Sequence, residues 1–437
     1  MSICLRLFFA SCALLIFYSS CSFGQKVNYD RYRLLEVTPT TEYQLDAVYA
    51  LHKRFKDELD FWLHTPTTDQ SAYVTVKPTI YREFTDQLDF LKMPYKLLLD
   101  DIGQEIASDR VSKEERKKLG FFEVYRTMDE IYEFITNLTK KYPNCASLVN
   151  IGTSFEDRPL RVIRISTDPE QLKHKPMVWI QSGMHAREQI GPAVATYLAS
   201  KIAALCRKRG ATRKLIQKFD WYILPILNPD GYEYAQNYDR LWRKTRSRQI
   251  FTKCVGVDPN RNFGFQFGDE NNGSSSEPCS NNYAGYRPLS EPETRAVVVY
   301  MTNIVRDRME LFLDFHSFSQ KWLTPYGYTI TLPQHYEEQV YLARIATKAI
   351  QKYNGTKYTI GTSSHSLYPV NGGARDWAYH VMLGTHSYVV ELPDQGQYGF
   401  ILPRRFIYPT AAETWVGVRA MALELIDLMS MDGYSSD

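Results

Sequence analysis

The chain has 437 residues, 44% of them apolar, and a formal net charge of +3. That length suits two or three domains with an extended core, and so small a charge excludes the strongly basic surface of a nucleic-acid binder. With 31 Tyr, 22 Phe and 7 Trp, well-packed cores and Tyr-lined surfaces are expected.

Residues 1–24, MSICLRLFFASCALLIFYSSCSFG, set a basic Arg6 before an apolar stretch from Leu7 to Tyr18, then small and polar residues. That order is a secretory signal peptide, cut near Gly24–Gln25. The stretch is shorter than the ~20 residues of a spanning helix, and no other apolar run is long enough to span a bilayer. A soluble, secreted, extracellular protein without a membrane span is therefore expected. Of 7 cysteines, Cys4, Cys12 and Cys21 leave with the leader. Cys145, Cys206, Cys254 and Cys279 remain, in a compartment that favours disulfides. Cys254 and Cys279 flank a Gly/Asn/Ser-rich loop and are the expected pair, with Cys145–Cys206 following by exclusion. Sequons at Asn137, Asn272 and Asn354 agree with secretion.

From residue 25 to about 105 the pattern predicts β-α-β-α-β. Strands are expected at 32–37, 72–76 and 95–99. Thr40 or Thr41 caps a helix with Leu45, Val48, Tyr49 and Phe55 at helical spacing, and a second helix runs over 81–91. The next segment, SDRVSKEERKKLG (108–120), is polar and basic. It suits a solvated helix face, a linker, or the target of a trypsin-like protease at Arg110, Arg116, Lys117 or Lys118. The last reading makes 25–118 a removable prosegment with a basic connecting segment.

From 119 to 437 helical stretches alternate with apolar runs at 160–165, 176–181, 221–229, 311–316 and 386–392. Such runs predict an α/β sheet covered on both faces, with ligands beyond the carboxyl ends of its strands. Three runs end in ionisable residues: His185 with Glu188, His316, and Glu391. His185-x-x-Glu188 is either an ion pair or half of a metal site. His316 is either a core histidine or the third ligand that a tetrahedral catalytic zinc requires. Glu391 is either salt-bridged or a general base, because a carboxylate at the end of an apolar strand is costly without a partner or a task.

These residues lie within GMHAREQIGPA (183–193), LNPDGYEY (227–234), RLWRKTRS (240–247), CVGVDPNRNF (254–263), HSFSQ (316–320), NGGARDWAY (371–379) and ELPDQGQYGFILP (391–403). In their order and spacing the chain closely resembles the secreted zinc carboxypeptidases of the pancreatic A/B type, and the upstream unit resembles that family's prosegment. The resemblance implies a mixed central sheet with helices on both faces, preceded by a small α+β, ferredoxin-like open-sandwich prosegment. It also implies one Zn2+ per chain, held by His185, Glu188 and His316, with Asp258 behind His185. Glu391 would act as base and Arg243 would stabilise the oxyanion. Asn260 and Arg261 would grip a C-terminal carboxylate. Arg187, Ser317, Phe318 and Tyr368 would contact the rest of the substrate. Peptide or protein C-termini are the implied substrate, with a monomer as the expected state.

Arg375 occupies the position that this family uses at the bottom of its side-chain pocket. A cation there favours C-terminal Glu or Asp and rejects Lys and Arg. If Asp314, another pocket position, pairs with Arg375, the pocket becomes nearly neutral. Phe318 stands where the family has Tyr, Pro369 follows Tyr368, and one residue is inserted near Gly384. A non-catalytic binding protein on the same fold would lack ligands or base, and here all are present.

Overall fold

A computed structural model describes residues 26–65, 67–168, 175–270, 273–304, 308–382 and 385–432. The leader, the Asn272 sequon and the insertion near Gly384 lie outside the described residues.

The N-terminal unit contains β1 (Arg33–Val37), β2 (Leu59–Leu63), β3 (Ala72–Val76) and β4 (Tyr95–Leu99), in the order β2-β3-β1-β4 with antiparallel pairing throughout. Helices Glu42–Arg54 and Tyr81–Phe90 cover one face. Thr41 caps the first, accepting from Gln44 N at 3.2 Å. Period-two alternation sorts β1: Leu35 and Val37 join Val48, Leu51, Phe84 and Leu88, whereas Leu34 faces the rest of the chain with Trp62 and Leu99. The expected β-α-β-α-β pattern is corrected to β-α-β-β-α-β. The additional strand, β2 (LDFWL), has no clean alternation, because Phe61 packs into the unit and Trp62 against its neighbour.

The second unit is an eight-stranded mixed sheet built from β5 (Ala146–Thr153), β6 (Pro159–Ile165), β7 (Met177–Ser182), β8 (Asp220–Leu224), β9 (Met309–Ser317), β10 (Lys321–Thr324), β11 (Thr359–Thr362) and β12 (His386–Leu392). Its order is β11-β10-β12-β9-β7-β8-β6-β5. The four inner strands β12, β9, β7 and β8 are parallel, and β10, β6 and β5 pair antiparallel with their inner neighbours. Both faces are covered, as expected. In β7, Val178 and Ile180 meet helices Met128–Lys141, Ile190–Ala204, Tyr336–Asn354 and Ile407–Asp432. Met177 and Trp179 meet helices Pro292–Ile304 and Ala374–Val381. Both disulfides form as expected, Cys145–Cys206 and Cys254–Cys279. No helix among the described residues is long and apolar enough to cross a membrane.

Candidate metal centre and active site

Parallel pairing brings the ionisable strand ends together. His316 on β9 and Glu391 on β12 are direct register partners. β7 lies on the other side of β9 and ends at Ser182, where the chain turns at Gly183. Gly183 has φ +63°, and a Cβ there would lie 3.0 Å from the Pro192 side chain and 3.2 Å from the Ile226 Cα. That turn delivers His185 and Glu188 just ahead of helix Ile190–Ala204.

His185, Glu188 and His316 are buried, with ligand atoms all within 4.8 Å of one another. His185 Nδ1 lies 2.8 Å from Glu188 Oε1, His316 Nδ1 lies 3.0 Å from Glu188 Oε2, and the two Nδ1 atoms are 3.1 Å apart. On its other side, His185 Nε2 faces Asp258 Oδ1 at 3.0 Å. An ionised carboxylate only accepts, so Nε2 carries the hydrogen and a neutral ring offers Nδ1 as a lone pair. With both rings neutral and their hydrogens on Nε2, the lone pairs of two imidazoles and a carboxylate converge, and a bound cation relieves them. The donor set is that of a zinc site, and bonds of about 2.0 Å to a tetrahedral ion place ligand atoms about 3.3 Å apart. The residues present fit zinc.

The charges around this centre are strongly coupled. Burial opposes ionisation of Glu188 and Asp258, but His185 and His316 hold Glu188 low, and Arg243, His185 and Arg261 hold Asp258 well below the usual carboxylate range. Asp258 is the hub: it accepts from Arg243 Nη2 at 2.8 Å and from Asn260 N at 2.9 Å. Burial pushes the Glu391 carboxyl up to about 8, with Glu188 and Asp314 reinforcing and His316 and Arg243 opposing. A bound divalent cation would pull it back down.

Arg261 is anchored through Nε to Gly273 O at 2.7 Å and Nη1 to Asn260 O at 3.0 Å, and its buried Nη2 has no hydrogen-bond partner among the described residues. Asn260 Oδ1 accepts from Ala374 N at 3.0 Å, which leaves its amide NH2 for an acceptor. Tyr368 lies in the same cleft, with the Arg261 guanidinium 6.0 Å from its ring. Ser317 donates its backbone N–H to Glu188 Oε2 at 3.2 Å.

Three placements were not read from sequence. Arg187 binds Asp60 of β2 at 3.0 Å and lies over the Phe400 ring. Phe318 packs against Trp62 and Tyr73 of the N-terminal unit and against Phe400. The Asp314–Arg375 pair that would have made the pocket nearly neutral does not form: Arg375 Nε and Nη2 lie 2.9 and 2.8 Å from Asp376 Oδ1, and Asp314 Oδ2 lies 3.1 Å from His316 Nε2. Asp376 stands next to Arg375 in the chain, and adjacency was the available signal. Nothing in the sequence marked Asp60, Trp62 or Leu63. Trp62 and Leu63 close the cleft over His185, Glu188, Glu391 and Arg375, leaving a cavity of about 40 Å³. That holds water but no peptide, since one water needs about 10–15 Å³.

The family described as zinc carboxypeptidase matches residues 131–417, and that described as carboxypeptidase activation peptide matches 35–109. Carboxypeptidase A2 of Rattus norvegicus is 36% identical over 394 residues, 89% of this chain and 92% of that protein. Carboxypeptidase B2 of Rattus norvegicus is 36% identical over 344 residues, 78% and 80% of the two chains. The crystal structure of the carboxypeptidase A from Helicoverpa armigera superposes with a TM-score of 0.78 at 30% identity, over 90% of this chain and 98% of that one.

Proposed function

Because the chain belongs to the zinc carboxypeptidase family, we propose roles for its individual residues and a preference for acidic C-terminal residues. The family makes the chain a zinc-dependent hydrolase of peptide C-termini, synthesised as a zymogen with an activation peptide. Likeness to both A-type and B-type enzymes leaves the side-chain preference to the pocket.

His185, Glu188 and His316 hold the ion. When bound, zinc supplies a Lewis acid beside the scissile carbonyl. Glu391 removes a proton from the attacking water and delivers it to the departing amine. Arg243, fixed by Asp258, offers N–H donors to the developing oxyanion. Arg261 Nη2 and the Asn260 amide bind the terminal carboxylate. Arg187, Ser317 and Phe318 meet the preceding residues, and Tyr368 covers the substrate. The observation that carries this reading is the buried His185–Glu188–His316 cluster with Glu391 in register beside it.

Arg375 is buried and lines the cleft among the apolar Leu323, Val370 and Val389. Asp376 engages two of its three nitrogens and itself accepts from Gly327 N and Tyr328 N. A guanidinium has five donors, so donors remain for a second carboxylate. Release of C-terminal Glu, Phe and Lys from otherwise identical peptides by the activated enzyme tests this. Glu should leave fastest, and Arg375→Gln should remove the advantage. Faster release of Lys overturns the preference, and absence of any release overturns the enzyme reading.

We also propose secretion through the 1–24 leader, a monomeric state, and a prosegment boundary at Arg110 rather than at 118/119. Arg110 is exposed between helices Ile102–Ser108 and Lys113–Lys118. Arg116 is tied to Glu130 at 3.3 Å, and Arg126 binds the carbonyls of Arg116, Leu119, Gly120 and Phe121. Those bonds support assigning residues from about 111 onward to the catalytic unit.

A further inference from the structure

Both proposed zinc histidines turn Nδ1 toward Glu188 and Nε2 away from it. Behind His185 stands Asp258, 3.0 Å from Nε2. Behind His316 stands Asp314, 3.1 Å from Nε2. Asp314 and His316 are two positions apart on β9 and so share one face of the strand. Asp314 is fully buried, and among the described residues neither of its oxygens has a hydrogen-bond partner elsewhere; the same holds for His316 Nε2. The pair meets the distance of an ion pair without the alignment of a hydrogen bond, so the weight falls on the distance and on the lack of any competing partner. A buried carboxylate is costly unless paired, and His316 is the only group within reach of this one among the described residues.

We infer that Asp314 is a positioning residue for the metal centre, holding the His316 ring with Nε2 protonated and Nδ1 free to ligate, as Asp258 does for His185. This rests on the ligand set proposed above. Carboxylates on the far nitrogen of a ligating histidine fix its tautomer and raise its basicity, and their loss weakens metal affinity by about 10–100-fold. Asp314 does not line the cleft, whereas Arg375 does and is partnered by Asp376.

The test compares zinc affinity of the full chain, by competition with a chelating dye, for wild type, Asp314→Ala and Asp314→Asn. The expected result is zinc binding weaker by about 10–100-fold for Asp314→Ala, and a smaller loss for Asp314→Asn, which keeps an acceptor without the charge. The cobalt-substituted Asp314→Ala protein should show a shifted visible spectrum, and the thermal midpoint of the metal-free protein should stay unchanged. If Asp314→Ala does not fold, Asp314→Asn decides alone. Zinc affinity within twofold of wild type in the folded variants overturns the inference, including the case where only the C-terminal residue preference changes. His185→Ala separates the premises: retained zinc in that variant defeats the ligand set, whatever Asp314 does.

Discussion

Glu391 and Arg261 do opposite work with buried charge. Glu391 is kept basic by burial and by the neighbouring Glu188 carboxylate, within reach of Arg243 and His316. Replacing it by Gln preserves shape and removes the proposed proton acceptor. Turnover of Glu391→Gln should fall by about 10²–10⁴-fold with zinc content unchanged, read by metal analysis beside a peptide assay. Surviving activity would reassign the base. Arg261 instead holds one buried nitrogen without a hydrogen-bond partner among the described residues, which a substrate carboxylate would complete. Arg261→Gln should lower kcat/KM on the order of 10²-fold, the range for truncating one side of a buried charge pair. It should also erase the discrimination between free and amidated C-termini. The variant that loses activity equally on both substrates would argue for a general structural role instead.

At the scale of the element, β2 lies over the cleft. It contributes Asp60 to Arg187 and Trp62 to the Phe318–Phe400 cluster, while Phe61 stacks on His64 at 4.8 Å and meets His52 at a tilt at 4.7 Å. The two imidazoles are 5.1 Å apart. Burial pushes His64 down to about 4, with His52 adding to the effect, and lowers His52 as well, where Asp60 opposes and Lys56 reinforces. An unfolded His64 takes a proton near its ordinary 6.5. Between about 6.5 and 4 the opened unit therefore binds a proton that the folded one does not, and stability rises with pH across that window. The full effect is roughly 3 kcal/mol. Hydrogen exchange of the Leu59–Leu63 amides in the full chain, corrected for intrinsic rate, should lose protection from pH 7 to pH 4.5. His64→Phe should flatten that loss; an unchanged profile would remove His64 from the account. Legibility in the sequence follows the same physical line. β6, β7, β8, β9 and β12 are apolar on both faces, and such runs stand out. β10 and β11 have four residues each and β5 is a half-exposed edge, so their signal merges with the loops. His185, Glu188, His316 and Glu391 were legible because ionisable groups are out of place at the ends of apolar strands. Asp60 was not, because its partner lies 127 positions away and is chosen by docking of one unit on another.

At the scale of the molecule, the two units are held by contacts well beyond the cleft. Val27 N reaches Tyr238 O at 2.8 Å, Tyr73 donates to Gln395 O at 2.9 Å, and Asp109 accepts from Arg404 N at 2.9 Å. Cutting the connection therefore does not by itself free the site, and activity should lag behind cleavage. The place of the cut follows from which bonds are open. Exposed, irregular segments are nicked first, and a bond inside a helix must wait for local opening. Arg110 sits in such a segment, whereas Lys117 and Lys118 lie in a helix whose following carbonyls are held by Arg126. Limited trypsin treatment with N-terminal sequencing should give a first product beginning at Val111. Arg110→Gln should slow its formation, and a Lys117→Gln, Lys118→Gln double variant should not. Asp60→Asn, which removes the partner of Arg187, should shorten the lag between cleavage and activity without moving the cut. A first product beginning after Lys117 or Lys118 would place the opening in the helix, and a lag untouched by Asp60→Asn would shift the holding contact to the Trp62 cluster.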